Sequence, residues 1–553
     1  MASVPFDRAA MIGRLRAEVF DVVVIGGGIT GAGCALDAAS RGLRTALVER
    51  DDFASGTSSK SSKMIHGGLR YLQQGEVRLV YEALRERRRL MRNAPHLVHL
   101  LPFMIPILTK DGLISKKIAR ALGSALWMYD LTGGWRIGKV HRRLRRAAAL
   151  AHLPTMHEDR LASAYLYFDA GADDARLCLA VARTAAAHGA AVANGCGVVG
   201  LVKGPDGRAA GVEIEADGER ITVRASVVVN ATGVWADDVR ALDEGAHPDS
   251  LRPAKGVHIT IPWEKVRNDI AVVIPVPKDK RSLFVVPWGP MVDGTFRHAY
   301  VGTTDTDYDG PLDDARCTAD DLEYVLRALN ASLTTGITAD DVTGTWAGLR
   351  PLVKGVGSSR TADLSRHHRV DVSNSGVITV TGGKLTTYRA MAEDTVDAAL
   401  REVGRRARCR TKRLKLAGAT GGGFRRGTPA APGCTGHLAQ RFGRDAAAVE
   451  ALIAADATLG EPLVPGLPYL RAEAVYAARH EMARSLDDVL SRRTRARLLD
   501  RAACVEHAVD VARLIAPELG WDEDEVRRQV DAFRSSVSHE IESERTVVSG
   551  GAT

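Results

Sequence analysis

Residues 20–33 read FDVVVIGGGITGAG. Val22, Val23, Val24 and Ile25 form an unbroken β-branched run. Such a run suits a strand buried on both faces of a parallel sheet. Gly26, Gly28 and Gly31 follow in GxGxxG spacing. The next stretch, AGCALDAASRG, has helical character and ends at Gly42, and RTALVE (44–49) makes a second strand closing on Glu49. The first glycine permits a tight turn, the second lets the backbone approach a pyrophosphate, and the third lets helix and strand pack closely. The helix N-terminus then presents free N–H groups to phosphate. Glu49 lies 18 positions after Gly31, near the spacing at which an acid accepts hydrogen bonds from an adenosine ribose. Together these parts read as a dinucleotide-binding unit, without separating NAD from FAD.

Working outward, the 553 residues suggest two to four structural units, at about 100–200 residues each. With 45% apolar residues the chain can bury a large core, which argues against wholesale disorder. The net charge of +8 is compatible with nucleic acid, an anionic membrane or an anionic substrate. No zinc-finger, RRM or aromatic-basic platform is present, so nucleic acid is set aside. The seven cysteines, Cys34, Cys178, Cys196, Cys317, Cys409, Cys434 and Cys504, form no CxxC pair. They read as reduced cytoplasmic thiols, mostly small core residues, and no metal site is expected. The N-terminus lacks a long apolar stretch, so no signal peptide is expected, and no run reaches the ~20 apolar residues of a membrane span.

Residues 226–235, SVVVNATGVW, are another buried strand running into a Thr232-Gly233 turn. An ATG turn after a late strand points toward a flavoprotein of two-dinucleotide-fold type. Residues 190–224, with turns at Asp206-Gly207 and Asp217-Gly218, suggest an antiparallel excursion that returns to the parallel sheet. Residues 58–71, SSKSSKMIHGGLRY, follow the second strand by a few positions. In an open α/β sheet the ligand lies beyond the carboxyl ends of the strands, so this loop projects toward the cofactor. Ser58, Ser61, Ser62 and the lysines can donate to pyrophosphate or ribityl oxygens. Next to His66, Gly67 and Gly68 would let the backbone pass close to a flat isoalloxazine.

The chain resembles the FAD-dependent, quinone-linked glycerol-3-phosphate dehydrogenases. The resemblance rests on VVVIGGGITGAGCALDAASRG, TSSKSSKMIHGGLRYLQQGEVRLV, NATGVWAD, FVVPW, VGTTDTDY, AGLRPL and TGGKLTTYR, in the family's order from about residue 20 to 400. It implies an α/β fold: a glutathione-reductase-type FAD domain with a doubly wound parallel sheet, an antiparallel substrate domain and a C-terminal helical domain. It also implies noncovalent FAD and oxidation of sn-glycerol 3-phosphate to dihydroxyacetone phosphate. In that reaction a hydride goes to the flavin and the hydroxyl proton to a base.

Such a site needs cations for a phosphate, a base at the C2 hydroxyl, and positive charge near the flavin. By resemblance His258, in the strand-like AKGVHIT, is the base, and its near-neutral intrinsic pKa suits it. Arg350, in AGLRPL, and Arg366, in LSRHHRV, match substrate-site positions, and guanidinium forks suit phosphate. Around Arg366 the loop differs in length from relatives, and Arg369 or His367 could take its role. Lys384 approaches flavin or substrate. Gly383 precedes it, and Thr386 and Thr387 open the following helix, whose N-terminus can favour negative charge on the flavin. Arg70 and Tyr71 match substrate contacts.

Between these motifs, RLVYEALRERRRLMR (78–92) is helical, PHLVHLLPFMIPIL (95–108) is strongly apolar, and KDGLISKKIARALGSALWMYDL (110–131) combines apolar spacing with Lys116, Lys117 and Arg120. Basic charge beside apolar surface suits an interfacial segment on anionic lipid, where a quinone resides. The alternative is packing on the protein's own FAD domain. Residues 435–540 read as a helical bundle or oligomer contact, a homodimer among the possibilities. The charge run Arg492 to Arg501 reads as a solvated helix face, and the tail ERTVVSGGAT as disordered.

The expected division is FAD-binding parts at 18–80, 166–245 and 346–404, a helical insert at 81–165 and a substrate domain at 246–345. A linker at 405–434 and the C-terminal helical domain at 435–540 complete it. The expected location is the cytoplasm, at the inner face of the cell membrane. The alternatives are a glycerol-3-phosphate oxidase using O2, an amino-acid oxidase of the same superfold, and a flavin-binding protein without turnover.

Overall fold

The computed structural model describes residues 6–69, 76–109, 119–132, 138–279, 281–289, 295–354, 367–419 and 436–546. Strand Val19–Ile25 lies at the centre of the first sheet. It pairs in parallel with Thr45–Val48 on one side and with Glu219–Asn230 on the other. Ala191–Ala193 extends the parallel set beyond Thr45–Val48, and Ile378–Thr381 extends it beyond Glu219–Asn230. Val22, Val23 and Val24 are fully buried, which is why this strand shows no polar alternation. Helix Ile29–Ser40 packs between helices Asp174–Ala187 and Tyr388–Glu402. Strands Gly197–Lys203 and Ala209–Ala216 form the antiparallel excursion and lead back into the sheet through Glu219–Asn230.

The second sheet is mostly antiparallel. Strand Leu251–Pro262 pairs with Gly344–Val353 on one side and His298–Gly302 on the other. Ser282–Trp288 and Ala271–Pro275 follow, then Val98–Leu108 and Leu161–Ala172. This corrects the expected helical insert at 81–165. Val77–Asn93 and Ala119–Thr132 are helices, but the apolar run between them is a strand of the substrate sheet. Val98–Leu108 pairs along its whole length with Leu161–Ala172, and Phe103, Met104 and Ile107 are almost wholly buried. A continuous apolar run cannot tell a strand buried on both faces from other buried segments by periodicity alone. The sheet therefore reaches well outside 246–345.

The C-terminal unit is helical, from Gly436–Phe442 to Glu523–Arg545. The run Arg492 to Arg501 does not form a solvated face. Arg493 and Arg495 are 2% exposed. Arg493 donates to both carboxylate oxygens of Asp52, at 2.7 Å each. Arg495 donates to Asp173, to Asp174 and to the carbonyl of Ser59. These arginines bolt the unit to the loop after the second strand, and a one-dimensional charge run cannot reveal partners more than 300 residues away. The expected disordered tail also begins too early: Glu544 is helical, buried and ion-paired with Arg501. Within the expected linker, Thr411 and Leu416 are buried, and Thr411 donates to Asp37. That part is packed on helices Ile29–Ser40 and Val77–Asn93, and 420–435 lie outside the described residues. Cys34, Cys178, Cys196, Cys317 and Cys504 are buried thiols and Cys409 is half-buried; Cys434 lies outside the described residues.

Candidate active site

A cavity of about 710 Å³ runs from the carboxyl ends of the parallel strands to the second sheet. It falls within the usual size range of cofactor and small-molecule sites. Of the residues singled out in the sequence, Gly26, Gly28, Glu49, Ser58, Ser61, Ser62, His66, Gly68, Thr232, Gly233, His258, Arg350, Gly383, Lys384 and Thr386 line it. Positions far apart along the chain thus converge on one space.

At the parallel-sheet end, helix Ile29–Ser40 starts at Gly28 without a side-chain cap from that residue. Gly31 does not line the cavity. A Cβ there would lie 1.9 Å from the Gly26 carbonyl oxygen, so its bare Cα permits the close helix–strand approach. The Ile29 N–H donates to Ser58 Oγ at 2.9 Å, leaving the Ser58 proton for a ligand. Glu49 accepts from the Gly27 N–H at 2.5 Å and the Asp51 N–H at 2.9 Å. Burial nevertheless pushes its carboxyl up to about 7. Trp235 and Arg50, stacked at 5.2 Å, flank this end. A helix start with no side chain at its Gly28 cap position, a turn without side chains and a buried acid at the second strand form a donor and acceptor set that fits an ADP moiety.

At the other end, the imidazole of His258 stacks on Trp346, with ring centroids 4.8 Å apart and planes at 6°. Its Nε2 lies 2.8 Å from Ser62 Oγ. Its buried Nδ1 has no hydrogen-bond partner among the described residues. Burial first, then Lys63 and Arg350, hold His258 well below the ordinary histidine range. The imidazole is therefore neutral at physiological pH and able to accept a proton. Arg350 donates to Asp305 at 2.9 Å, to Thr303 Oγ1 at 3.2 Å and to the Thr304 carbonyl at 3.2 Å. Gly256 makes room for it: a Cβ there would meet the guanidinium at 2.5 Å and Thr303 Oγ1 at 2.6 Å. Lys384 precedes the turn Leu385–Thr387, which leads into helix Tyr388–Glu402. Thr386 Oγ1 accepts from the His66 N–H at 3.2 Å, tying that turn to the serine-rich loop.

Three of that loop's four serines have separate contacts. Ser58 faces the helix start, Ser62 meets His258, and Ser61 donates through both its hydroxyl and its backbone N–H to Asp174. The Ser61 hydroxyl is thus committed to a carboxylate, unlike the expected pyrophosphate contact. Gly67 does not line the cavity either. A Cβ there would lie 2.4 Å from the Tyr129 hydroxyl and 2.5 Å from Leu84, so its smallness serves packing under the turn. Arg70, Tyr71 and Arg366 lie outside the described residues. Arg369 pairs with Asp371 and is exposed, and neither it nor His367 lines the cavity.

Several cavity residues were not singled out in the sequence. Arg281 donates to Asp279 and to the Asp305 carbonyl, and so stands next to Arg350. Asp169 accepts from the Gly67 N–H, from Tyr129 and from Arg87, fixing the glycine turn. Thr303 and Asp305 lie inside VGTTDTDY, so that motif held the signal. Arg281 and Asp169 carry no local pattern that marks them.

Residues 21–397 match the family model described as FAD dependent oxidoreductase. Residues 409–526 match the C-terminal domain of alpha-glycerophosphate oxidase. Glycerol-3-phosphate dehydrogenase 2 of Mycobacterium tuberculosis is 42% identical, over 98% of this chain and 92% of its own. The chain belongs to the FAD-dependent glycerol-3-phosphate dehydrogenase family. The human mitochondrial glycerol-3-phosphate dehydrogenase is 36% identical over 97% of this chain and 76% of its own. A crystal structure of the Bacillus halodurans glycerol-3-phosphate dehydrogenase complexed with FAD superposes with a TM-score of 0.76 at 29% identity, covering 98% of this chain and 99% of that one. FAD is thus the cofactor of this family, and the ADP-shaped end of the cavity fits it.

Proposed function

We propose that the chain oxidises sn-glycerol 3-phosphate to dihydroxyacetone phosphate and passes the electrons to a quinone at an anionic membrane. The observation that carries the first part is the convergence of His258 with Arg350 on one cavity that also presents an ADP-shaped site. Bound FAD would supply the two-electron acceptor. Gly26, Gly28, Glu49, Ser58, Thr232 and Gly233 would hold its dinucleotide part, and His66, Gly68, Gly383, Lys384 and Thr386 the ring end. Arg350, braced by Asp305, and the neighbouring Arg281 attract the substrate phosphate, with Arg366, Arg70 and Tyr71 as further contacts. His258 takes the C2 hydroxyl proton, and Lys384 supplies positive charge beside the reacting atoms. Several cations around one base suit a phosphorylated polyol better than the carboxylate of an amino acid.

Helix Ala119–Thr132 supports the membrane part. Leu122, Leu126 and Tyr129 are buried, yet Trp127, Met128 and Leu131 on the other side are 57%, 47% and 73% exposed. His141 meets the Trp127 ring edge-on at 5.0 Å, bringing the exposed Arg142 and Arg143 next to it. Apolar surface beside basic charge suits an anionic lipid interface. Leu122, Phe103, Ile105, Val273 and Phe284 also give the cavity an apolar end. No helix among the described residues is long and apolar enough to cross a membrane. The docking proposed is peripheral, from the cytoplasmic side. A second copy of the chain at the C-terminal unit completes the expected partners.

Anaerobic addition of glycerol 3-phosphate to the holoenzyme should bleach the flavin, and a flavin that stays oxidised would defeat the substrate reading. Flotation with anionic vesicles should fail for Trp127→Glu/Leu131→Glu. Stoichiometric hydrogen peroxide in air, with no reduction of a short-chain quinone, would favour the oxidase instead.

A further inference from the structure

Lys63 closes the serine-rich loop and does not line the cavity. Its ammonium is buried, 3.3 Å from Asp174 Oδ1 and 3.2 Å from the Ser59 carbonyl. It also lies 4.5 Å from the centroid of the Trp346 ring. That same ring carries the stacked imidazole of His258, and its Nε1–H donates to the Ser61 carbonyl at 3.1 Å. Asp174 is shared: Ser61 and Arg495 of the C-terminal unit donate to it as well. A chain of contacts thus runs from the C-terminal unit through Arg495, Asp174, Lys63 and Trp346 to His258.

We propose that Lys63 is a positioning residue for His258: anchored by Asp174 and the Ser59 carbonyl, its ammonium keeps the imidazole neutral and seated against Trp346, ready to take the substrate proton. This rests on the reading of His258 as the base. The groups that face His258 make the electrostatics one-sided. Lys63 comes from the loop and Arg350 from the adjacent strand, and both are cations. Ser62, Trp346 and Tyr300 are its uncharged neighbours, and Tyr300 holds the loop by donating to the Ser62 carbonyl at 3.0 Å. A fixed positive charge nearby penalises protonation of an imidazole. Burial pushes Lys63 down to about 8, and Asp174 is the first of the groups that oppose this, so the charge persists at neutral pH. A purely structural role would not need a charge here, since Asp174 keeps Arg495 and Ser61 as donors without it.

The test compares wild-type holoenzyme with Lys63→Met and Lys63→Arg. Imidazole titration is followed by NMR on histidine-labelled protein, with the His258 signal assigned by its loss in His258→Asn. In the wild type, His258 should titrate below the unperturbed value. Loss of the charge in Lys63→Met should raise the midpoint by about one pH unit, and Lys63→Arg should leave it in place. The acid limb of kcat/KM, which falls as the base becomes protonated, should move to higher pH in Lys63→Met by the same amount. A wild-type midpoint at or above about 6.5, or one unchanged in Lys63→Met, overturns the proposal. A shifted titration that the kinetic limb fails to follow leaves the Lys63 coupling standing and sinks His258 as the base. Should Lys63→Met lose FAD, Lys63→Gln, which is equally neutral and can still donate to Asp174, takes its place in both measurements, with the same outcomes expected.

Discussion

Replacing Arg350 by alanine removes a cation and also uncovers an anion. Asp305, only 10% exposed on its side chain, receives its ion-pair contact from Arg350 at 2.9 Å. Without Arg350, that carboxylate faces the space proposed for the substrate phosphate. At an effective dielectric of about 20 and a separation of roughly 6 Å, the lost attraction is worth about 3 kcal/mol. The new repulsion is smaller, because Arg281 donates to the Asp305 carbonyl at 2.6 Å and partly offsets the charge; we take it as about 1 kcal/mol. A total near 4 kcal/mol corresponds to about a thousandfold loss in kcat/KM. The double variant Arg350→Ala/Asp305→Asn removes only the repulsion, so it should regain about fivefold over the single variant. The assay is the rate of anaerobic flavin bleaching against glycerol 3-phosphate concentration, with FAD content measured for each variant. A single variant within tenfold of wild type, or a double variant no better than the single, would refute the assignment of Arg350 to the phosphate.

Gly31→Ala should cost FAD affinity by about tenfold or more, because the added Cβ meets a backbone oxygen that cannot swing away. Gly13→Ala, where a Cβ meets nothing within 4 Å, is the control, and flavin absorbance after gel filtration reads both. Glu49 binds its proton more tightly in the folded protein than in the unfolded chain, since burial raises it from 4.5 to about 7. The folded apoprotein therefore holds the extra proton between those values, and its stability should fall as pH rises through that window, by about 3 kcal/mol. Urea midpoints at the two ends of the window should converge in Glu49→Gln. Burial alone would raise the Asp52 carboxyl, and Arg493 and then Arg492 more than reverse this. Arg493→Ala should thus destabilise by about 3 kcal/mol, at the low end for a broken buried pair because Arg492 remains. An unchanged thermal midpoint would mean that the C-terminal unit is not held by this contact.

Wherever neighbouring residues act on one another through short spacing, the sequence by itself determined the outcome. The run Val22 to Ile25, the glycine turn and Glu49 specify a strand, a helix start and an acid within one local unit, with no distant partner needed. The motif order likewise announced the family and its cofactor, and the resemblance singled out His258 and Arg350, both of which line the cavity. Tertiary structure decided what depends on partners far along the chain. Val98–Leu108 is a sheet strand only because Leu161–Ala172 lies beside it. Arg493 and Arg495 are buried only because Asp52, Asp173 and Asp174 meet them there. Ser61 and Ser62 look interchangeable in sequence, yet one bonds a carboxylate and the other an imidazole. Burial and charge pairing are properties of three-dimensional neighbourhoods, and a string of charges or of apolar residues is compatible with several such neighbourhoods until the chain closes on one.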